Sequence, residues 1–133
     1  MINIILTLIG LSIIIPIDAT YLFLNKNFYT KIIDQNEKIN WIYAIGTWLL
    51  IIISIQLLVL PQVAKDLTQV SYTPFINGLF LGLAMYGVYN LTSATLYPSK
   101  WDYKIIIGDT LWGMILTGTL SYILYKIKTI NKY

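Results

Sequence analysis

Apolar residues along this chain fall into four long blocks and show no strict alternation. Residues 2–24 contain one acidic or basic side chain, Asp18; residues 41–60 and 75–97 contain none; residues 105–125 contain only Asp109. Each block is close to the ~20 residues that a helix needs to cross a ~30 Å hydrocarbon core. Helix is favoured over strand because a segment in lipid must satisfy its own backbone, and these blocks overshoot the ~9 to 11 residues of a barrel strand. The pattern predicts an all-α fold: an integral membrane four-helix bundle in a single membrane domain, residues 1–133, with helices at about 2–24, 41–60, 75–97 and 105–125. The first block lacks a basic leader and a small-residue cleavage site, so it is expected to remain as a helix and not to be removed as a signal peptide.

The connections fit this division. Lys26, Lys31, Asp34, Glu37 and Lys38 lie in the first, Lys65 and Asp66 follow Pro61 in the second, and Lys100, Asp102 and Lys104 follow Pro98 in the third. Polar segments opened by proline are where helices are expected to stop. Aromatic residues gather at the block ends (Tyr21, Phe28, Tyr29, Trp41, Tyr97, Trp101), where rings anchor at the headgroups.

Composition narrows the chemistry. Hydrophobic residues make up 57% of the chain and charged residues 11%, against ~25% charged in a soluble domain. With no Cys and no His, disulfides, thiolate nucleophiles, imidazole acid–base groups and Cys or His metal sites are excluded. No metal site and no cofactor are expected. The net charge of +3, carried by nine lysines against six acids, is too diffuse for a nucleic-acid surface, which leaves membrane lipids as the partners. The lysines divide almost evenly between the two sides of an up-down bundle, so the positive-inside rule assigns no orientation. A near-tie of this kind also admits insertion both ways and an antiparallel homodimer, although a native bias is the simpler expectation. Gly78, Gly82 and Gly87 in the third block, and Gly113, Thr117 and Ser121 in the fourth, suit close backbone approach, first within the chain and second between copies.

Candidate chemistry sits in one layer. Counted inward from the side shared by the end of the first helix and the start of the second, Asp18, Trp48, Asn90 and Asp109 all lie ~10 to 12 Å deep at 1.5 Å per residue. Thr47 shares the layer. Tyr86 stands four residues from Asn90, and Trp112 three from Asp109, each on its neighbour's face. An acid at membrane depth costs ~2.5 to 3.5 kcal/mol on insertion scales and is kept for a partner, a cavity or a function. With no intramembrane lysine, two acids in one low-dielectric layer favour a shared proton or a bound cation. Asp18, Asn90, Asp109, Trp48, Tyr86 and Trp112 are therefore the candidate ligand- or ion-binding residues. Structural readings stand beside this one: Asp18 could satisfy a turn loosened by Pro16, Asp109 could be the N-cap of a later-starting helix, and the two tryptophans could be packing residues.

These residues also carry a family resemblance. The run Tyr89-Asn90-Leu91-Thr92-Ser93-Ala94-Thr95, then Trp101, then Asp109-Thr110-Leu111-Trp112-Gly113, with Asp18, Tyr21-Leu22 and Phe28-Tyr29 earlier, resembles an uncharacterised domain-of-unknown-function family of small, mainly bacterial four-helix predicted membrane proteins. Asn90 stands where that pattern usually has Asp, and Ser93 where it has Asn. The resemblance implies the four-helix layout and gives weight to the polar layer; it implies no activity. If the family chemistry needs a third carboxylate, this copy is altered at Asn90.

Three functions follow from the sequence. The first is a proton- or cation-coupled transporter or channel using Asp18 and Asp109. The second is a membrane-embedded enzyme acting on a lipid or other hydrophobic substrate, with one Asp as base and the other as acid. The third is a structural or accessory membrane protein whose polar layer fixes helix packing. Transport ranks first, because an enzyme here would lack the usual nucleophiles and imidazole.

Overall fold

The computed structural model describes residues 1–30, 32, 40–63 and 72–131. Lys31, Asp34, Glu37, Lys38, Lys65, Asp66 and Lys132, part of the expected loop and tail charge, lie outside the described residues. Four helices account for the described fold, and each begins where its sequence supplies a start signal. The first, Ile4–Leu24, opens at Asn3, whose side chain accepts from the Leu6 N–H, and passes unbroken through Pro16. The second opens at Asn40, whose Oδ1 accepts from the Ile42 N–H at 3.2 Å, and runs from Trp41 to Ser54. It continues through a π-helical turn, Ile55–Val59, into a last α turn, Leu60–Val63. The third, Thr73–Leu96, has Pro74 in its first turn, where a missing N–H costs nothing, and ends at Tyr97 just before Pro98. The fourth, Tyr103–Asn131, is 29 residues long.

One boundary and one alternative structural reading differ from the sequence expectation for physical reasons. Pro61 does not end the second helix. The preceding π turn, in which Leu60 N–H reaches back to Ile55 O, widens the ladder where the proline ring would otherwise press on it. Nor is Asp109 an N-cap. Asp102 fills that role, its Oδ1 accepting from the Ile105 N–H at 3.1 Å, which sets Asp109 in the second turn of a helix already under way.

Ile4–Leu24, Trp41–Gln62 and Thr73–Leu96 are long and apolar enough to cross a membrane. The fourth helix is not among them, against the expectation of four equivalent spans. It is the longest helix, and its apolar residues are interrupted by Asp109, Gly113, Thr117, Gly118 and Ser121. Of these, Gly113, Thr117, Gly118 and Ser121 are buried, so protein rather than lipid surrounds the less apolar side of this helix. Leu6, Ile14, Ile51, Ile52, Ile55, Leu120 and Leu124 form the core between helices. Outward positions such as Leu8, Phe23, Leu50, Phe80, Leu91 and Ile115 remain exposed and apolar, as suits helices facing hydrocarbon.

The third and fourth helices make the closest seam. A Cβ placed on Gly82 would stand 2.5 Å from Gly113 O and 2.7 Å from Met114 Cα, and one on Gly78 would stand 2.8 Å from Gly118 Cα. Backbone rests on backbone here, the small-residue packing by which helices associate in lipid. Gly87, in the same sequence run, lies outside the tight seam.

Candidate functional site

Asp18 and Asp109 face one cavity of about 410 Å³, lined also by Leu22, Thr47, Ile51, Met85, Tyr86, Tyr89 and Trp112. All four helices contribute to its wall. Among the described lining residues there is no lysine.

Each carboxylate is held by two donors. Trp112 Nε1–H donates to Asp18 Oδ1 at 2.9 Å and Trp48 Nε1–H to Asp18 Oδ2 at 3.0 Å. Asp18 is therefore bonded to side chains of the second and fourth helices, and the indoles, beyond packing, present donor-only groups to an acid. Trp112 is fixed in turn by Tyr21, whose ring stacks on it with centroids 3.9 Å apart and planes 3° from parallel. On the other side, Tyr29 Oη–H donates to Asp109 Oδ1 at 2.7 Å and Asn90 Nδ2–H to Asp109 Oδ2 at 2.8 Å.

Asn90 is the hub of this second half. It has no solvent exposure; its Oδ1 accepts from Trp101 Nε1–H at 2.9 Å, and its Nδ2 also donates to Tyr86 O at 2.9 Å. The indole can only donate and the carboxylate and carbonyl accept, so these partners fix which end of the amide is oxygen. Asn90 here does what an ionised Asp could not: it gives a donor to Asp109 while keeping an acceptor for Trp101. The amide is thus held within a complete hydrogen-bond set.

The six residues singled out in the sequence all meet around this cavity or its two acids. Asp18, Asp109, Tyr86 and Trp112 line it, Trp48 binds Asp18, and Asn90 binds Asp109. Thr47 lines it too, with its hydroxyl donating to Tyr43 O at 3.0 Å. Two partners, Tyr29 and Trp101, are expected from their positions at the block ends to anchor at the headgroups. Both instead turn inward from connections, and their places beside the other family-pattern residues were the available signal. Tyr29 donates to Asp109, so the 3.1 Å contact between the Tyr21 and Tyr29 hydroxyls has Tyr21 as its donor. A directed chain results: Tyr21 to Tyr29 to Asp109, met from the far side by Trp101 through Asn90. Tyr29 lies beyond the end of the first helix, and burial, followed by the Tyr21 hydroxyl and Asp109, pushes its phenol well above the ordinary 10.0.

Among the described residues, no group of three or more His, Cys, Asp or Glu side chains stands close enough to hold a metal ion. A separate polar cluster marks the opposite end of the bundle. Gln56, in the π turn, accepts from the Asn3 N–H at 2.7 Å and donates to Thr7 Oγ1 at 2.8 Å. This joins the second helix to the start of the first.

Long apolar helices with outward apolar side chains and an inward polar site define a multi-pass integral membrane protein. The family model described as "Predicted membrane protein (DUF2177)" matches residues 3–126. The chain belongs to that family. No curated protein and no solved structure matches it.

Proposed function

We propose that this protein binds a cation between Asp18 and Asp109 and carries it across the membrane as a proton- or cation-coupled transporter or channel. The observation that supports this reading is the shared cavity: two acids from different helices face the same space with no lysine among the described residues that line it. Charge in a low-dielectric site calls for compensation, and here a cation or protons would supply it. The two compete for the same pair of carboxylates, which is the physical basis of coupled exchange. The cradles fix where each acid stands, since two donors hold each carboxylate. Purified protein in liposomes, under an imposed pH gradient and potential, tests this. Proton or cation flux is expected in the wild type and is expected to disappear in folded Asp18→Asn and Asp109→Asn variants. Equal flux in the variants, or none in any protein, would overturn it. Absence of flux together with a lipid-derived substrate turned over by the wild type alone would favour the enzyme reading instead.

A further inference from the structure

We infer that the ligand of this cavity is a monovalent organic cation with an apolar or aromatic body, not a bare metal ion; the inference rests on the cation-binding reading above and names its substrate class. Three observations carry it. First, all four carboxylate oxygens already accept a hydrogen bond: Asp18 Oδ1 and Oδ2 from the two indoles, Asp109 Oδ1 and Oδ2 from Tyr29 and Asn90. A hard divalent ion requires about six to eight oxygens at roughly 2.0–2.6 Å. Each carboxylate oxygen keeps one further lone pair, but two carboxylates already shared with four donors supply fewer oxygens than such an ion requires, and among the described residues no third acid stands with them. Trp112 is additionally pinned by its stack on Tyr21. An ammonium or phosphonium needs no such coordination, because it responds to the charge of the acids through space.

Second, the space is far larger than an ion. At about 410 Å³ it falls within the roughly 300–1,000 Å³ range of small-molecule pockets. Third, its wall combines the two acids with Leu22, Ile51 and Met85 and with the aromatic rings of Tyr86, Tyr89 and Trp112. Apolar side chains reward burial of an apolar body, and ring faces attract a cation without donating or accepting a proton. Inorganic ions gain nothing from the first of these. Methionine adds a flexible wall able to fit ligands of differing outline.

The test is equilibrium dialysis of the full chain in detergent against radiolabelled tetraphenylphosphonium, with protein-free micelles as background. Tetraphenylborate, of the same shape and opposite charge, serves as the comparison. Saturable phosphonium binding is expected, with at least tenfold weaker binding in Asp109→Asn. Tetraphenylborate is expected to bind no more than to empty micelles. Thr47→Phe guards against a misfolded acid variant: it projects a ring into the cavity from an exposed position on the second helix, leaves both acids in place, and is expected to abolish binding. Lys104→Gln, outside the cavity, is expected to bind as the wild type does. Equal uptake of the two probes, phosphonium binding unaffected by Thr47→Phe, or no binding above micelles would overturn the inference. Flux measured on the same preparations separates the two claims. Asp-dependent flux of protons or metal ions without phosphonium binding would leave the transport reading standing and remove this one. Asp-dependent phosphonium binding without flux of any cation would support this one and remove transport.

Discussion

Replacing Gly82 by alanine should do far more damage than the same change at Gly87 on the same helix, and the structure sets the scale. The new Cβ would lie 2.5 Å from Gly113 O and 2.7 Å from Met114 Cα, whereas ordinary contact begins near 3.4 Å. Both obstacles are backbone, so no rotamer change relieves the clash, and the helices must part by about 1 Å. A gap of that size forfeits about a quarter to a half of the dispersion well for each atom pair along the seam. Overpacking of this kind typically costs about 1–3 kcal/mol. The same seam carries the bond between Asn90 and Asp109, 2.8 Å long, eight residues or ~12 Å further along the third helix. Loosening the seam should therefore weaken the site as well as the fold. Gly87→Ala is the internal comparison, because a Cβ there meets only Leu83 Cδ1 at 3.8 Å and Thr110 Cγ2 at 3.9 Å. That change should be neutral, or stabilising by about 0.5–1 kcal/mol through reduced backbone entropy. Unfolding titrations in mixed micelles of mild detergent and dodecyl sulfate, followed by tryptophan fluorescence, measure both variants. Equal midpoints for Gly82→Ala and Gly87→Ala would refute the backbone-on-backbone seam.

Asn90→Leu should leave the Trp101 indole and one Asp109 oxygen without partners, at about 1–3 kcal/mol for each, measured by the same titration; a loss below 1 kcal/mol would show that the hub is not holding them. Trp112→Phe keeps a ring against Tyr21 but removes the donor to Asp18 Oδ1, so a loss of about 1–3 kcal/mol is expected, with phosphonium affinity falling alongside it in dialysis. Because the folded Tyr29 phenol ionises above its ordinary 10.0, the folded state retains a proton that the unfolded state releases. Its stabilising contribution is full below pH 10 and declines as pH rises beyond it. Thermal midpoints of the wild type should therefore fall more steeply above pH 10 than those of Tyr29→Phe, and parallel curves would contradict the Tyr29–Asp109 contact.

The helical class and the neighbourhood of the acids were legible because hydropathy and depth are properties of sequence position alone. Four apolar blocks and the ~1.5 Å rise per residue suffice to put Asp18, Trp48, Asn90 and Asp109 in one layer. What position cannot give is rotation about each helix axis, since in lipid both the inner and outer faces are apolar. That Trp48 and Trp112 turn their N–H groups toward Asp18 depends on that rotation, and so was not readable. Tyr29 and Trp101 were assigned to the headgroups because rings near helix ends usually anchor there. Their inward turn depends on the connecting segments, whose path no periodicity encodes. The passage of the second helix through Pro61 was hidden for a different reason: a π turn has no reliable local signal, yet it relaxes the rule that proline stops a helix.

The fourth helix joins these points. It fails the apolarity of a membrane span because it carries the polar and small residues that the site and its seam require. Asp109 and Trp112 supply one acid and one of the donors to the other acid, while Gly113, Gly118 and Ser121 admit the third helix closely enough for Asn90 to reach Asp109. Asp109 is offset by its two donors and the small residues by close packing, while Thr117 Oγ1 and Ser121 Oγ are buried without a hydrogen-bond partner among the described residues. The helix is therefore tolerated with this side against protein and its Leu111 and Ile115 side outward. The deficit in hydropathy and the location of the site are thus one fact. Substituting its inward small residues with leucine would raise the hydropathy of the helix while forcing the third helix away and breaking the contact between Asn90 and Asp109.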